Sequence, residues 1–168
     1  NIMPMYFNGL KEGLETNNWE TADTIISYIK KFQLRYGKDV LPEKSKIDLE
    51  VMYNKLSVFS RLFIYYSLCG MCLLSLVIIN LFYNNKLLIT LIQLFKWLII
   101  FGFVVHIFGL ALRWYISGHA PWSNGYESMI YIAWATIFSG LIFSKRSTLT
   151  LAATAVVSGL LLMVAHLN

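Results

Sequence analysis

The sequence predicts an all-α fold: a polytopic membrane helical bundle of about four spans, with an N-terminal extramembrane helical segment. Three observations carry this expectation. Of the 168 residues, 57% are hydrophobic and the mean hydropathy is +0.59, too apolar for an ordinary soluble domain. Beyond Arg61 the one acid is Glu127, against the bases Lys86, Lys96, Arg113, Lys145 and Arg146. No charged residue lies between Arg61 and Lys86, enough chain at about 1.5 Å per residue to cross a hydrocarbon core of about 30 Å. The net charge of +5 thus comes mostly from the membrane half. Topology accounts for it and nucleic acid does not, so no nucleic-acid partner is expected.

Residues 1–58 read as water-exposed helices. Asn18 can cap a helix in which Ile25, Ile26, Ile29 and Phe32 recur at helical spacing, and Gly37 is its stop. Leu41-Pro42 makes a break, and Ser45 with Asp48 three residues later looks like a second cap. Nothing further on would end a helix, so one helix is expected from about Lys46 to about Tyr83, crossing the membrane over residues 62–83. Residues 59–168 form the membrane domain, with further spans near 94–115, 126–144 and 148–166. Lys96 either snorkels from the first turns of its span or leaves 87–95 at the interface.

Between the second and third spans lies a short polar and aromatic loop, Arg113 to Ser128, reading RWYISGHAPWSNGYES. Gly118 and Pro121 stop the incoming helix. Ser123 or Asn124 is a good N-cap, with Glu127 placed to reach back to it as in a capping box. By the positive-inside rule Lys86, Lys96, Lys145 and Arg146 mark the cytoplasmic side. Residues 1–58 and the 116–125 loop then face outward, where Trp114, Tyr115, Trp122 and Tyr126 suit an aromatic belt.

The remaining chemistry-bearing residues have competing readings. Cys69 and Cys72 match CxxC, but Leu73 follows where a c-type haem site has histidine. Small residues easing helix packing compete with a redox pair. His106, within an apolar span, is either a neutral imidazole bonded to a neighbouring helix or a ligand. His166 reads as a wetted helix end. His119 shares its loop with Trp122, Asn124 and Glu127: either an interfacial turn in which Arg113 and Glu127 pair, or the rim of a surface for a flat amphipathic ligand, with haem and quinone both qualifying. There is no phosphate-cradling glycine loop, nucleophile elbow or catalytic carboxylate pair, and no residue is assigned a catalytic or metal-ligating role. The chain starts at Asn1 and stops after an apolar run, and both ends read as cut from a larger polypeptide.

The segment SGHAPWSNGYESMIYIAW, preceded by Arg113-Trp114, resembles the CcsA family, also called ResC, or CcsBA when fused: membrane proteins that export haem and attach it to apocytochrome c in system II maturation. The matching positions are Arg113, Trp114, Ser117, Gly118, His119, Pro121, Ser123, Asn124, Tyr126, Glu127 and Ser128. KIDLEVMYNKLSVFSRLFIYY is similar to the end of the CcsB (ResB) portion, so the chain resembles the CcsB–CcsA junction of a fused CcsBA protein. The family's WWD signature is absent, and its flanking haem-ligating histidines fall downstream of residue 168. His119 matches none of those ligands.

The resemblance implies a location in the bacterial inner (cytoplasmic) membrane, with residues 1–58 and the loop on the periplasmic side. It implies a part in a haem exporter and cytochrome c synthase whose partners are haem, apocytochrome c, the remainder of the CcsB/CcsA polypeptide and membrane lipid. The residues implied to support a haem platform are Arg113, Trp114, His119, Trp122, Asn124, Tyr126 and Glu127. The readings from other classes are a structural scaffold subunit of a membrane complex and a quinone-binding subunit of a respiratory complex.

Overall fold

A computed structural model describes residues 2–37, 43–83, 85–120 and 122–167. Among them are seven helices and no strand: α1 Ile2–Thr16, α2 Glu20–Tyr36, α3 Lys44–Leu56, α4 Val58–Phe82, α5 Lys86–Ser117, α6 Gly125–Phe143 and α7 Thr148–Leu167. The chain divides into two compact units, Asn1–Ile47 and Asp48–Asn168.

The first unit is built on a helical hairpin. Gly9 of α1 lies so close to α2 that a Cβ there would meet the Ala22 backbone nitrogen at 3.1 Å, and a Cβ on Gly13 would enter the Trp19 ring. Asn18 caps α2 as its sequence suggests, its Oδ1 accepting from the Glu20 amide at 3.1 Å. At the other end the Gly37 amide donates to Gln33 O at 2.8 Å. The break expected at Leu41-Pro42 lies outside the described residues. The Ser45 cap is corrected: α3 has already begun at Lys44, and Ser45 Oγ instead donates to the Glu43 carboxylate at 3.2 Å.

In the second unit α4 to α7 form a membrane bundle. Four segments are long and apolar enough to cross a bilayer: Lys44–Phe82, Lys86–Ser117, Gly125–Phe143 and Thr148–Leu167. The first is not the uninterrupted helix the sequence suggested. Ser57 adopts left-handed backbone (φ 45°, ψ 47°) and its hydroxyl donates to Asn54 O at 2.9 Å, a local bond that competes with the helical pattern and separates α3 from α4. α5 runs unbroken for 32 residues, roughly 48 Å, longer than the roughly 30 Å of hydrocarbon it must cross. Residues 87–95 are therefore helical, and Lys96 is half-buried in that helix.

With lipid outside, apolar burial alone does not hold spans together, and close approach through small residues does. α4 packs on α7 where Gly70 faces Ala155 and Val156; a Cβ on Gly70 would lie 2.8 Å from the Val156 amide nitrogen. Here the small-residue reading of Cys69 to Cys72 holds, with Cys69 buried, Cys72 exposed and both thiols free. α7 is tied to α6 by Ser158 Oγ donating to Ala133 O at 2.8 Å in a fully buried setting. α4 meets α5 along a face of Gly102, His106 and Gly109, which Phe59, Tyr65 and Tyr66 cover. α5 and α6 pack less closely than α4 with α7, α6 with α7 or α4 with α5, and a groove opens between them beneath their connecting loop.

Candidate functional site

The loop between α5 and α6 is fixed at both ends by local chemistry. Gly118 ends α5 in the left-handed region (φ 72°), its amide donating to Trp114 O at 3.0 Å. Pro121 lies outside the described residues. α6 starts at Gly125, with Asn124 Oδ1 accepting from the Glu127 amide at 2.8 Å. The expected capping box is shifted by one residue. Glu127 does not return to Asn124: its Oε2 accepts from the Ser123 amide at 3.0 Å and the Ser123 hydroxyl at 2.7 Å.

The other carboxylate oxygen faces α5. Glu127 Oε1 accepts from Arg113 Nε at 3.0 Å and lies 2.9 Å from Arg113 Nη2. Glu127 is 1% exposed, and the Arg113 side chain is 25% exposed. One buried carboxylate thus satisfies four donors and joins the end of α5, the loop and the start of α6. The guanidinium also covers the Tyr126 ring, with its carbon 5.1 Å from the centroid.

His119 joins the same network through Ser123. Its Nδ1 is 3.2 Å from Ala120 O and 3.3 Å from Ser123 Oγ. The one proton of Ser123 Oγ is directed at Glu127, so that hydroxyl can only accept from the imidazole. The carbonyl also can only accept. Both partners therefore require Nδ1–H, and in the neutral imidazole the lone pair is then on Nε2 of this exposed side chain.

Trp114 and Trp122 do not join that network. They form the upper wall of the groove between α5 and α6, a volume of about 280 Å³ completed by Ile107, Leu110, Tyr131 and Trp134 with no polar lining. Trp122 meets Tyr131 edge-on at 5.6 Å, Tyr131 stacks on Trp134 at 5.4 Å, and Trp134 stacks on Phe138 at 5.5 Å with 4° between planes. Phe103 of α5 stacks on both Trp134 and Phe138 at 6.1 Å. Tyr131, Trp134 and Phe138 escaped the sequence reading, although their i, i+3, i+7 spacing places them on one helical face.

The other two histidines lie apart from the loop network. His106 is fully buried, packed edge-on against Phe59 at 5.4 Å and beside Tyr66 at 5.9 Å, and neither ring nitrogen has a hydrogen-bond partner among the described residues. The expected approach to a neighbouring helix survives only as a contact with the Ile130 backbone of α6, and ring packing supplies the rest of the pocket. His166 Nδ1 lies 3.0 Å from Ser60 Oγ and its ring stacks on Phe63 at 6.2 Å, so it fastens the end of α7 to α4.

Among the described residues no three of His, Cys, Asp and Glu converge on a metal-sized site. The groove suits one edge of a flat apolar molecule, and a macrocycle of haem size would extend beyond it. His119 is exposed and does not line the groove, and His106 is enclosed by aromatic rings. The groove thus suits a flat apolar face, and no pair of histidines converges on it among the described residues.

No protein-family model matches this chain. It is 34% identical over 167 residues to the protein NrfI of Wolinella succinogenes, covering 97% of this chain and 17% of that protein. A shorter stretch of 37 residues, 22% of this chain, is 46% identical to the cytochrome c biogenesis protein CcsA of a Synechococcus species, covering 12% of it. The chain thus spans less than a fifth of each of these relatives.

Proposed function

We propose that this chain is part of a system II membrane assembly for cytochrome c biogenesis, at the CcsB–CcsA junction of a fused CcsBA-type protein, and that the Arg113 to Ser128 loop forms a wall beside the place where haem is presented. Residues 1–58 and the loop face the periplasm, and the bundle sits in the inner membrane. The observation that carries the reading is the apolar, aromatic-walled groove directly beneath a loop locked by the Glu127 carboxylate. Similarity to a cytochrome c biogenesis protein and to NrfI supports the same reading.

The wall's task is positional. Trp114, Trp122 and Trp134 offer π faces and edges to a flat macrocycle. Glu127, Arg113 and Asn124 hold those rings in place without touching haem. In the whole assembly the chemistry would be thioether formation, in which a substrate cysteine S–H adds across a haem vinyl group; apocytochrome c and the iron ligands come from outside this chain.

The test is Trp122→Ala with Trp134→Ala in the complete protein, reading retained haem by its absorption spectrum and matured cytochrome c by haem stain. Both should fall together while membrane abundance holds. Unchanged haem retention and yield would sink the reading, and a purified protein holding quinone and no haem would replace it with a quinone-binding subunit.

A further inference from the structure

A second groove lies on the opposite flank of α5, between it and α4. It is an apolar trough of about 350 Å³ walled by Val58, Leu62 and Tyr65 on one side and Phe101, Val105 and Phe108 on the other. From Phe108 to Phe101 the floor descends about 10 Å, roughly the first third of a 30 Å hydrocarbon core. Tyr65 brings a hydroxyl to the wall, but that hydroxyl donates to Leu98 O at 2.8 Å and asks nothing of an occupant. Gly102 lets the Tyr65 ring close onto α5 at the floor, where a Cβ would strike that ring at 2.8 Å.

One charged group lines this trough, Arg61 in the first turn of α4. It lies at the same membrane face as the α5–α6 loop, since α4 leaves that face and α5 returns to it. The other arginine at this face, Arg113, is neutralised by Glu127; among the described residues that is the one ion pair, and Arg61 has no carboxylate partner.

A guanidinium over a wholly apolar slot matches the two halves of an anionic phospholipid. We propose that this groove is a binding site for one such lipid, with its phosphate on Arg61 and an acyl chain between α4 and α5. Arginine suits phosphate through its forked donors, and the chain needs only the dispersion contacts the trough offers. A transmembrane helix is the less complementary occupant, since it would leave Arg61 unpaired unless it carried its own acid.

The probe is phosphatidylglycerol with a photoreactive diazirine in its acyl chain, mixed into phosphatidylcholine vesicles holding the complete protein, with crosslinks mapped by peptide mass spectrometry. Crosslinks should concentrate on Phe101, Val105 and Phe108, and unlabelled phosphatidylglycerol should compete where phosphatidylcholine does not. Arg61→Gln should reduce them about fivefold, the loss expected of one basic contact to an anionic lipid, and Arg61→Lys should restore most of it. Val105→Trp fills the slot while leaving the charge, and should abolish the mapped crosslinks in a protein that still folds. Even labelling around α4 and α5, indifference to Arg61→Gln, protection of the trough by another helix, or displacement of the probe by haem would each overturn the proposal.

Discussion

The Glu127 carboxylate lies 2.9 and 3.0 Å from two nitrogens of Arg113, fourteen residues earlier on the preceding helix, and is almost wholly shielded from water. Shielding makes the pair unforgiving. The two charges offset each other's desolvation, and removing either leaves the other stranded. Glu127→Ala strands the guanidinium together with the Ser123 amide and hydroxyl. Losing one partner of a buried pair costs about 3 to 5 kcal/mol, and the partial exposure of Arg113 places this case near the lower figure. Glu127→Leu combined with Arg113→Met should be markedly milder than the sum of the two single changes. Thermal unfolding in detergent of the four proteins of that cycle measures the coupling, and simple additivity would refute the pairing.

Ser123 links this carboxylate to His119, and the link sets a tautomer. The wild-type protein should carry its His119 proton on Nδ1, visible in the nitrogen chemical shifts of histidine-labelled protein. Ser123→Ala removes one acceptor and should raise the Nε2–H fraction while costing about 0.5 to 1.5 kcal/mol for the lost hydrogen bonds. A wild-type spectrum dominated by Nε2–H would contradict the geometry.

Glycines at two places in the bundle should respond differently to the same change. At Gly70 the obstacle is the backbone of α7, which cannot swing aside as a side chain can. Gly70→Ala should cost about 1 to 3 kcal/mol by overpacking, and Gly70→Leu should separate the helices. Gly118 has open space around it and only a positive φ to oppose substitution. Gly118→Ala should therefore cost no more than about 1 kcal/mol, and Gly118→Asn less, because asparagine tolerates the left-handed region. Comparing detergent melting temperatures across these variants tests the order, and a larger loss at Gly118 than at Gly70 would reverse it.

The four spans were legible in the sequence because hydrophobic runs and stray charges are one-dimensional signals. The loop was legible because Gly118, Asn124 and Glu127 act within a few residues of themselves. The shift of the box from Asn124 to Ser123 was not: either residue can cap, and the choice depends on where Arg113 arrives from α5. The break at Ser57 was hidden because neither glycine nor proline marks it. The aromatic ladder of Tyr131, Trp134 and Phe138 was masked by a helix apolar on every side, where spacing alone selects no face. The surroundings of His106, itself singled out in the sequence, were hidden for a related reason, since its neighbours Phe59 and Tyr66 are set by how α4 and α5 cross.

His106 supplies the last prediction. A buried imidazole with no well-formed hydrogen bond, facing only the Ile130 backbone of α6, contributes mainly ring packing and carries a desolvation penalty. His106→Leu retains most of the volume against Phe59 and Tyr66 and removes both unpaired nitrogens. The variant should melt within about 1 kcal/mol of wild type, or above it, and should retain as much haem in the complete protein. His106→Ala should instead lose about 2 to 4 kcal/mol through the cavity it opens, which separates a packing role from a polar one. Strong destabilisation by leucine as well as alanine, or loss of the haem spectrum in the leucine variant at normal abundance, would assign the imidazole nitrogens a bonding role instead.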